Sequence, residues 1–287
     1  MAQILDGKAL AAKIKEEVKA EVAELKQNGI FPKLAVILVG DDPASQVYVK
    51  SKSNDCKEVG IISENINLTA DTSREELIEI INSLNADPNT NGILVQLPLP
   101  KGLNDSEIIQ LVAPEKDVDA FSYYNVGRIM SGDYSFVPCT PAGCLELIKL
   151  SGIKIEGKNC VVIGRSNIVG KPMAMLLMQN NGTVTVCHSR TEDIASITRK
   201  ADIIVVAIGK EGFLTGDMIK EGAVVIDVGI NRCSDGKLRG DAHFDSCAQK
   251  ASFITPVPGG VGPMTRVMLL KNTISATRLQ KENEKNA

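Results

Sequence analysis

An α/β fold of two doubly wound domains follows from three features of the amino-acid sequence. Short apolar runs of strand length alternate with amphipathic stretches of helix length along most of the chain. Residues 161–172, VVIGRSNIVGKP, turn from an apolar strand into a helix through glycines. At 287 residues the chain is longer than one average domain and suits two.

The elements can be justified in order. Residues 8–27 keep Leu10, Ile14, Val18, Val22 and Leu25 at helical spacing, and Asn28-Gly29 supplies the stop. KLAVILV, residues 33–39, is a buried strand running into Gly40, Asp41, Asp42 and Pro43. A helix follows from about Ser45 to Val59 with Gly60 ending it, and 62–68 is the second strand. Thr72 or Ser73 caps a helix through Leu84, and GILVQLPL places a third strand over 92–97. Strand, helix, strand, helix, strand in this rhythm implies a parallel sheet. After a helix near 105–112, residues 114–133 are rich in Asp, Gly and aromatic residues and read as a crossover between domains.

TPAGCLELIKL, residues 140–150, is helical, with Thr140 as N-cap and Pro141 at the first helical position. A second sheet begins at Cys160 and continues through 183–186, 203–206, 224–228 and 253–254, its strands alternating with helices in the dinucleotide-binding manner. The last helix starts at Pro263 and returns to the first domain. The expected boundaries are 1–120 plus 264–287 for an N-terminal domain and 121–263 for a Rossmann-type domain.

The turn after the Cys160 strand carries the clearest chemistry. Gly164 can adopt positive φ, and the helix N-terminus after it offers N–H groups and partial positive charge to an anion. Ser166 and Val169 stand where G-x-G-x-x-G has its second and third glycines, and the next glycine is Gly170. The pattern alone therefore also describes an ordinary strand, turn and helix. The next strand ends in Cys187, His188, Ser189, Arg190 and Thr191, with no acid before Glu192 to hold the ribose hydroxyls of NAD. Ser189, Arg190 and Arg165 suit a 2′-phosphate, which points to NADP.

Composition narrows the partners. A formal net charge of -3, without a long Lys/Arg cluster, argues against nucleic acid or a membrane surface and leaves small metabolites. Seven cysteines without a C-x-x-C pair suggest neither a disulfide framework nor a zinc cage, and fit a reducing cytoplasm. Two histidines, His188 and His243, are too few for a His-based metal centre, so no metal is expected. No apolar run approaches the roughly 20 residues of a membrane span, and the N-terminal stretch lacks the apolar core of a signal peptide.

Four elements could do chemistry. Tyr48 and Lys52, four apart on one helix, share a face at a strand's carboxyl end, where such sheets bind ligands; a surface lysine lying over a tyrosine explains the spacing equally. Gln96 sits in the apolar run VQLPLP, either as a satisfied core amide or as a polar group at a site. Asp117 and Asp119 in PEKDVD can cap a helix or bind a ligand N–H. Residues 255–265, TPVPGGVGPMT, fix a tight backbone path that suits either a wall against a flat ring or a plain interdomain turn.

Taken together, these segments resemble the bifunctional methylenetetrahydrofolate dehydrogenase/cyclohydrolase family over nearly the whole chain. The matching pieces are Tyr48-x-x-x-Lys52, VQLPLP around Gln96, PEKDVD around Asp119, PCTPAG at 138–143, GRSNIVGKP at 164–172 and PGGVGPMT at 258–265. The resemblance implies NADP-dependent oxidation of 5,10-methylenetetrahydrofolate to the methenyl compound, followed by hydrolysis to 10-formyltetrahydrofolate. It places folate between the domains, with the pteridine on Asp119 and the one-carbon bridge near Lys52. Hydrolysis needs proton transfer, and a lysine at its free-solution pKa of about 10.4 is mostly protonated. Desolvation and a cationic substrate would push that value down, with Tyr48 and Gln96 orienting the amine.

By the same resemblance Gly164, Arg165, Ser166, Ser189 and Ile230 contact NADP, and Arg190 joins them on the charge argument above. Ser45, Val95 and Leu97, with the turn of Pro258, Gly259 and Gly260, line the folate cleft. A homodimer is implied as well. Two positions depart from the family pattern: Ala120 stands where glycine is usual, and Ala242 where valine is usual. The alternatives are a dehydrogenase without hydrolase activity and a catalytically silent dinucleotide-binding protein.

Overall fold

The structure is a computed structural model that describes residues 1–286. In chain order β1 (Gln3–Ile4) and α1 (Gly7–Gln27) lead into β2 (Lys33–Val39), α2 (Pro43–Val59), β3 (Ile62–Leu68), α3 (Arg74–Ala86) and β4 (Gly92–Val95). Short α4 (Asp105–Ile109) and α5 (Tyr123–Ser131) follow, then α6 (Cys139–Leu150), β5 (Asn159–Ile163), α7 (Gly170–Gln179) and β6 (Thr183–Cys187). The chain ends with α8 (Ile194–Thr198), β7 (Ile203–Val206), β8 (Val224–Asp227), the hairpin β9 (Asn231–Arg232) and β10 (Leu238–Arg239), α9 (Phe244–Ala248), β11 (Phe253–Ile254) and α10 (Val261–Asn286). Two compact units result. One comprises residues 1–12 and 138–268, the other 13–137 and the chain from Leu269 onward.

The unit holding Lys52 is built on a parallel sheet of order β3-β2-β4. β2 is buried from its second residue to its last, which is why it reads as an unbroken apolar run. Ile37 and Ile93 of the sheet pack with Leu77, Ile81 and Ile108, all at most 1% exposed, in one apolar cluster. Local signals set the helix ends. Asp42 accepts the Ser45 N–H ahead of Pro43, and Gly60 closes α2 at φ 86°. Of the two candidate caps for α3 it is Ser73 that accepts the Glu76 N–H. The ammonium of Lys116, only 5% exposed, donates to the carbonyls of Leu84, Asn85 and Asp87 where α3 ends. Burial pulls the Lys116 pKa down.

The expected crossover over 114–133 contains a helix. Ser122 accepts the Asn125 N–H, Gly132 closes α5 in the left-handed region, and the buried Asp117 carboxylate accepts N–H groups from Phe121 and Ser122. Residues 121–137 accordingly belong with the Lys52 unit, not with the nucleotide-binding half. The last helix joins the same unit from Leu269: Asn272 donates to the carbonyls of Val118 and Val137, and Gln280 to those of Asn91 and Glu115.

The other unit carries a six-stranded parallel sheet of order β1-β11-β8-β7-β5-β6. Its outermost strand comes from the chain's start, since Gln3 pairs with Phe253 and Ile4 with Ile254. A strand of two residues leaves no periodicity in the sequence, so residues 1–12 fall outside the domain first expected to hold them. Gly7 seals this junction: a Cβ there would lie 1.9 Å from the Gly260 carbonyl oxygen. Thr140 is not an N-cap. Helix α6 starts at Cys139 with no side-chain cap, and the Thr140 hydroxyl pairs with that of Thr265 at 3.0 Å.

Candidate active site

In the first site, α2 leaves the carboxyl end of β2 and Gln96 follows the last residue of β4, its neighbour in the sheet. This brings residues 44 apart in sequence together: the Lys52 Nζ donates to Gln96 Oε1 at 3.0 Å. Gln96 Nε2 donates to the Leu97 carbonyl at 2.7 Å, which fixes the amide so that its oxygen must face the lysine. Lys52 Nζ has no second hydrogen-bond partner among the described residues. Gln96 is half-buried and bonded to the lysine, and Lys52 makes no cation–π contact with an aromatic ring among the described residues.

Tyr48 is 43% exposed, and its hydroxyl forms no hydrogen bond with a described residue. It shares the α2 face with Lys52 and makes no hydrogen bond to Lys52 or Gln96. Ser45 and Val95 are buried, Leu97 half-buried. Cys56, one turn beyond Lys52, is buried, and desolvation pushes its thiol up to about 12, so it stays protonated.

Asp117 and Asp119 separate clearly. Asp117 is 4% exposed and spent on local backbone and on Asn125 Nδ2. It pairs in parallel with Ile93 in an isolated bridge, and two residues further on Asp119 is half-buried. Ala120 is fully buried at φ 56°, in the left-handed region that favours glycine.

The second site lies at the carboxyl ends of β5 and β6. Gly164 is buried with φ 130°, and a Cβ on it would lie 2.3 Å from the Ala207 carbonyl oxygen. A Cβ on Gly170 would come equally close, 2.3 Å, to the Gly164 carbonyl oxygen. The helix N-terminus is not free as expected: the Ser166 hydroxyl accepts the N–H groups of Val169 and Gly170. The N–H groups of Arg165, Ser166, Asn167 and Ile168 in the exposed turn have no hydrogen-bond partner among the described residues, which leaves them available to an anion.

Arg165, Ser189 and Arg190 are exposed, and neither guanidinium is ion-paired among the described residues. Because Ile163 and Cys187 are partners in register, both arginines project from adjacent strand ends. The available N–H groups and the two free cations fit a dinucleotide with a 2′-phosphate. Ile230 is 49% exposed after β8, and Gly259, at φ 105°, shapes the turn between β11 and α10 in which Pro258 is exposed and Gly260 buried.

The family follows from the whole length. The catalytic domain of tetrahydrofolate dehydrogenase/cyclohydrolase matches residues 5–119, and its NAD(P)-binding domain matches residues 138–281. The chain belongs to this family. The "Bifunctional protein FolD" of Moorella thermoacetica is 60% identical over 277 residues, covering 96% of this chain and 99% of that one. The FolD crystal structure from Campylobacter jejuni superposes with a TM-score of 0.96 at 51% identity, covering 97% of this chain and 99% of that one. The Trypanosoma brucei dehydrogenase-cyclohydrolase, complexed with NADP cofactor and inhibitor, superposes with a TM-score of 0.92 at 40% identity over 97% and 98% of the two chains.

Two residues escaped the sequence reading. Asp227 ends β8, and Asp241 follows β10; both are buried, at 4% and 0% exposure. The signal was an acid closing the apolar strand VVID. Burial pushes the Asp227 carboxyl up to about 6, against the N–H groups of Ala242, Asp241 and Gly229, which lower it. A raised folded-state pKa binds its proton more tightly than the unfolded chain does. Its stabilisation is therefore complete below the unfolded value near 4 and is lost as pH rises through about 6, by about 3 kcal/mol in all. Urea unfolding of the wild type and Asp227→Asn between pH 4 and 7 should show the stability difference shifting toward the variant as pH rises. A difference independent of pH in that window would rule this titration out. Among the described residues no helix is long and apolar enough to cross a membrane, and no group of three or more His, Cys, Asp or Glu is placed to hold a metal ion.

Proposed function

We propose that the Lys52–Gln96 pair carries the hydrolytic half of a bifunctional folate enzyme, which oxidises 5,10-methylenetetrahydrofolate with NADP and hydrolyses the methenyl product to 10-formyltetrahydrofolate. The observation that carries this reading is the amine held at 3.0 Å by an amide whose direction is fixed. Gln96 aims the amine, and Tyr48 supplies a free hydroxyl on the same helix face. Lys52 takes a proton from the water that adds to the methenyl carbon and returns it to the ring nitrogen as the C–N bond opens, while the hydroxyl proton of the adduct leaves to solvent as the formyl C=O forms. Asp119 holds the pteridine, while Ser45, Val95, Leu97 and the turn of Pro258, Gly259 and Gly260 line the folate site.

Bound NADP supplies the acceptor for the hydride that leaves the methylene carbon. Gly164, Ser166 and Ile230 contact it along the strand ends, and Arg165, Ser189 and Arg190 hold its 2′-phosphate. A dehydrogenase without hydrolase activity, or a silent dinucleotide-binding protein, would have no use for the oriented amine. A homodimer in the cytoplasm completes the reading. All seven cysteines are free, six of them buried, which suits a reducing compartment, and the charge of -3 leaves no basic excess for nucleic acid.

The test supplies methylenetetrahydrofolate with NADP or NAD and follows reduced cofactor, methenyl and formyl products separately. Both products should form, and Arg165→Ala should lower kcat/KM for NADP at least about tenfold more than for NAD, the loss of one charge-assisted phosphate contact. Equal losses with the two cofactors would remove Arg165 from the phosphate site, and absence of formyl product would refute the hydrolase.

A further inference from the structure

The buried carboxylates of Asp227 and Asp241 form a clamp that the reaction scheme leaves unused. Asp241 accepts four hydrogen bonds: Oδ2 from the N–H of Ile208 at 2.7 Å and of Gly209 at 3.0 Å, Oδ1 from the N–H of Lys210 at 2.8 Å and Nδ2 of Asn231 at 2.9 Å. Asp227 in turn holds Asp241, its Oδ1 accepting the N–H groups of Gly229 and Asp241 at 2.9 Å each and its Oδ2 that of Ala242 at 2.8 Å. There is no slack. A Cβ on Gly240 would lie 1.9 Å from Asp227 Oδ2, and one on Gly229 would lie 2.3 Å from Asp241 Oδ1.

Burying two adjacent carboxylates is costly, and well-packed apolar side chains close a sheet edge more cheaply. What the pair secures is therefore informative. It binds the segments that follow β7 and β8, and Ile230 stands between Gly229 and Asn231, both tied to the clamp. The site reading places the 2′-phosphate after β6 and the pyrophosphate after β5, so a dinucleotide crossing this edge must run on toward β7 and β8.

We infer that Asp241, held in place by Asp227, is a positioning residue for the nicotinamide end of NADP, fixing the 208–210 and 229–231 segments against which that end lies. The inference rests on the cofactor reading above. Asp241 does not touch the reacting atoms; it acts through the backbone it anchors.

Asp241→Asn keeps the volume but turns an N–H toward backbone donors. The expected result is a KM for NADP raised at least about tenfold, with hydrolysis of added methenyltetrahydrofolate, measured without NADP, changed less than about twofold. Asn231→Ala removes one of the four contacts from a half-buried residue and should raise the KM for NADP about threefold. Thr198→Val is the control for stability alone, because its buried hydroxyl donates to the Met218 carbonyl in the same unit without touching the clamp. It should lower the melting temperature and leave the KM for NADP unchanged. An unchanged KM in Asn231→Ala, or the same KM rise in Thr198→Val as in Asp241→Asn, overturns the inference. Wild-type turnover with NADP in the same experiment distinguishes that outcome from failure of the cofactor reading itself. If Asp241→Asn does not fold, the Asn231→Ala result decides.

Discussion

Replacing Lys52 with methionine should abolish formation of 10-formyltetrahydrofolate while leaving NADP binding intact. Methionine keeps an unbranched side chain of similar reach in the α2 face and removes only the amine that donates to Gln96. Because Gln96 Nε2 stays tied to the Leu97 carbonyl, the amide keeps its direction, and the variant loses a proton carrier without rearranging the strand end. General acid–base catalysis contributes roughly 100- to 10,000-fold, so hydrolysis of added methenyltetrahydrofolate should fall at least about 100-fold. The gauge of specificity is NADP affinity by fluorescence titration, expected within about twofold of wild type. Hydrolysis at the wild-type rate would exclude Lys52 as the proton carrier. Loss of both properties together would mark a folding defect.

Gly164→Ala should do the reverse. The added carbon would lie 2.3 Å from the Ala207 carbonyl oxygen, at a backbone φ of 130° that L side chains rarely adopt. The clash cannot be relieved by rotating a side chain, because its partner is main chain. The turn that presents the N–H groups of residues 165–168 must move, and a cradle for phosphate tolerates little movement. A rise of at least about 100-fold in the KM for NADP, equivalent to about 3 kcal/mol, is expected, with hydrolysis of added methenyltetrahydrofolate largely retained. A wild-type KM for NADP would show that the phosphates lie elsewhere.

How far the sequence alone leads can be seen element by element. β2, α2 and Gly60 are legible because a buried parallel strand, a Pro at the first helical turn and a left-handed glycine each leave a local mark. The Lys52–Gln96 pair spans 44 positions, and only the rule that ligands gather at the carboxyl ends of strands connects its halves. β1 stayed invisible because two residues carry no period, and α5 because its Tyr, Asn and Gly content resembles loop composition although Ser122 and Gly132 cap it. Asp227 and Asp241 were missed for another reason. Each is an ordinary acid in its own neighbourhood, and its meaning arises only where three loops converge.

The pairing of residues 3–4 with 253–254 has a bearing on how the polypeptide acquires its shape as it leaves the ribosome. Neither half is contiguous: one waits for its partner strand near position 254, the other for the stretch after Leu269. Vectorial, half-by-half maturation is therefore closed to this chain. Neither unit has all its parts until the residues near 254 and after 269 have been made, which leaves the nascent sheet edges to be shielded until then.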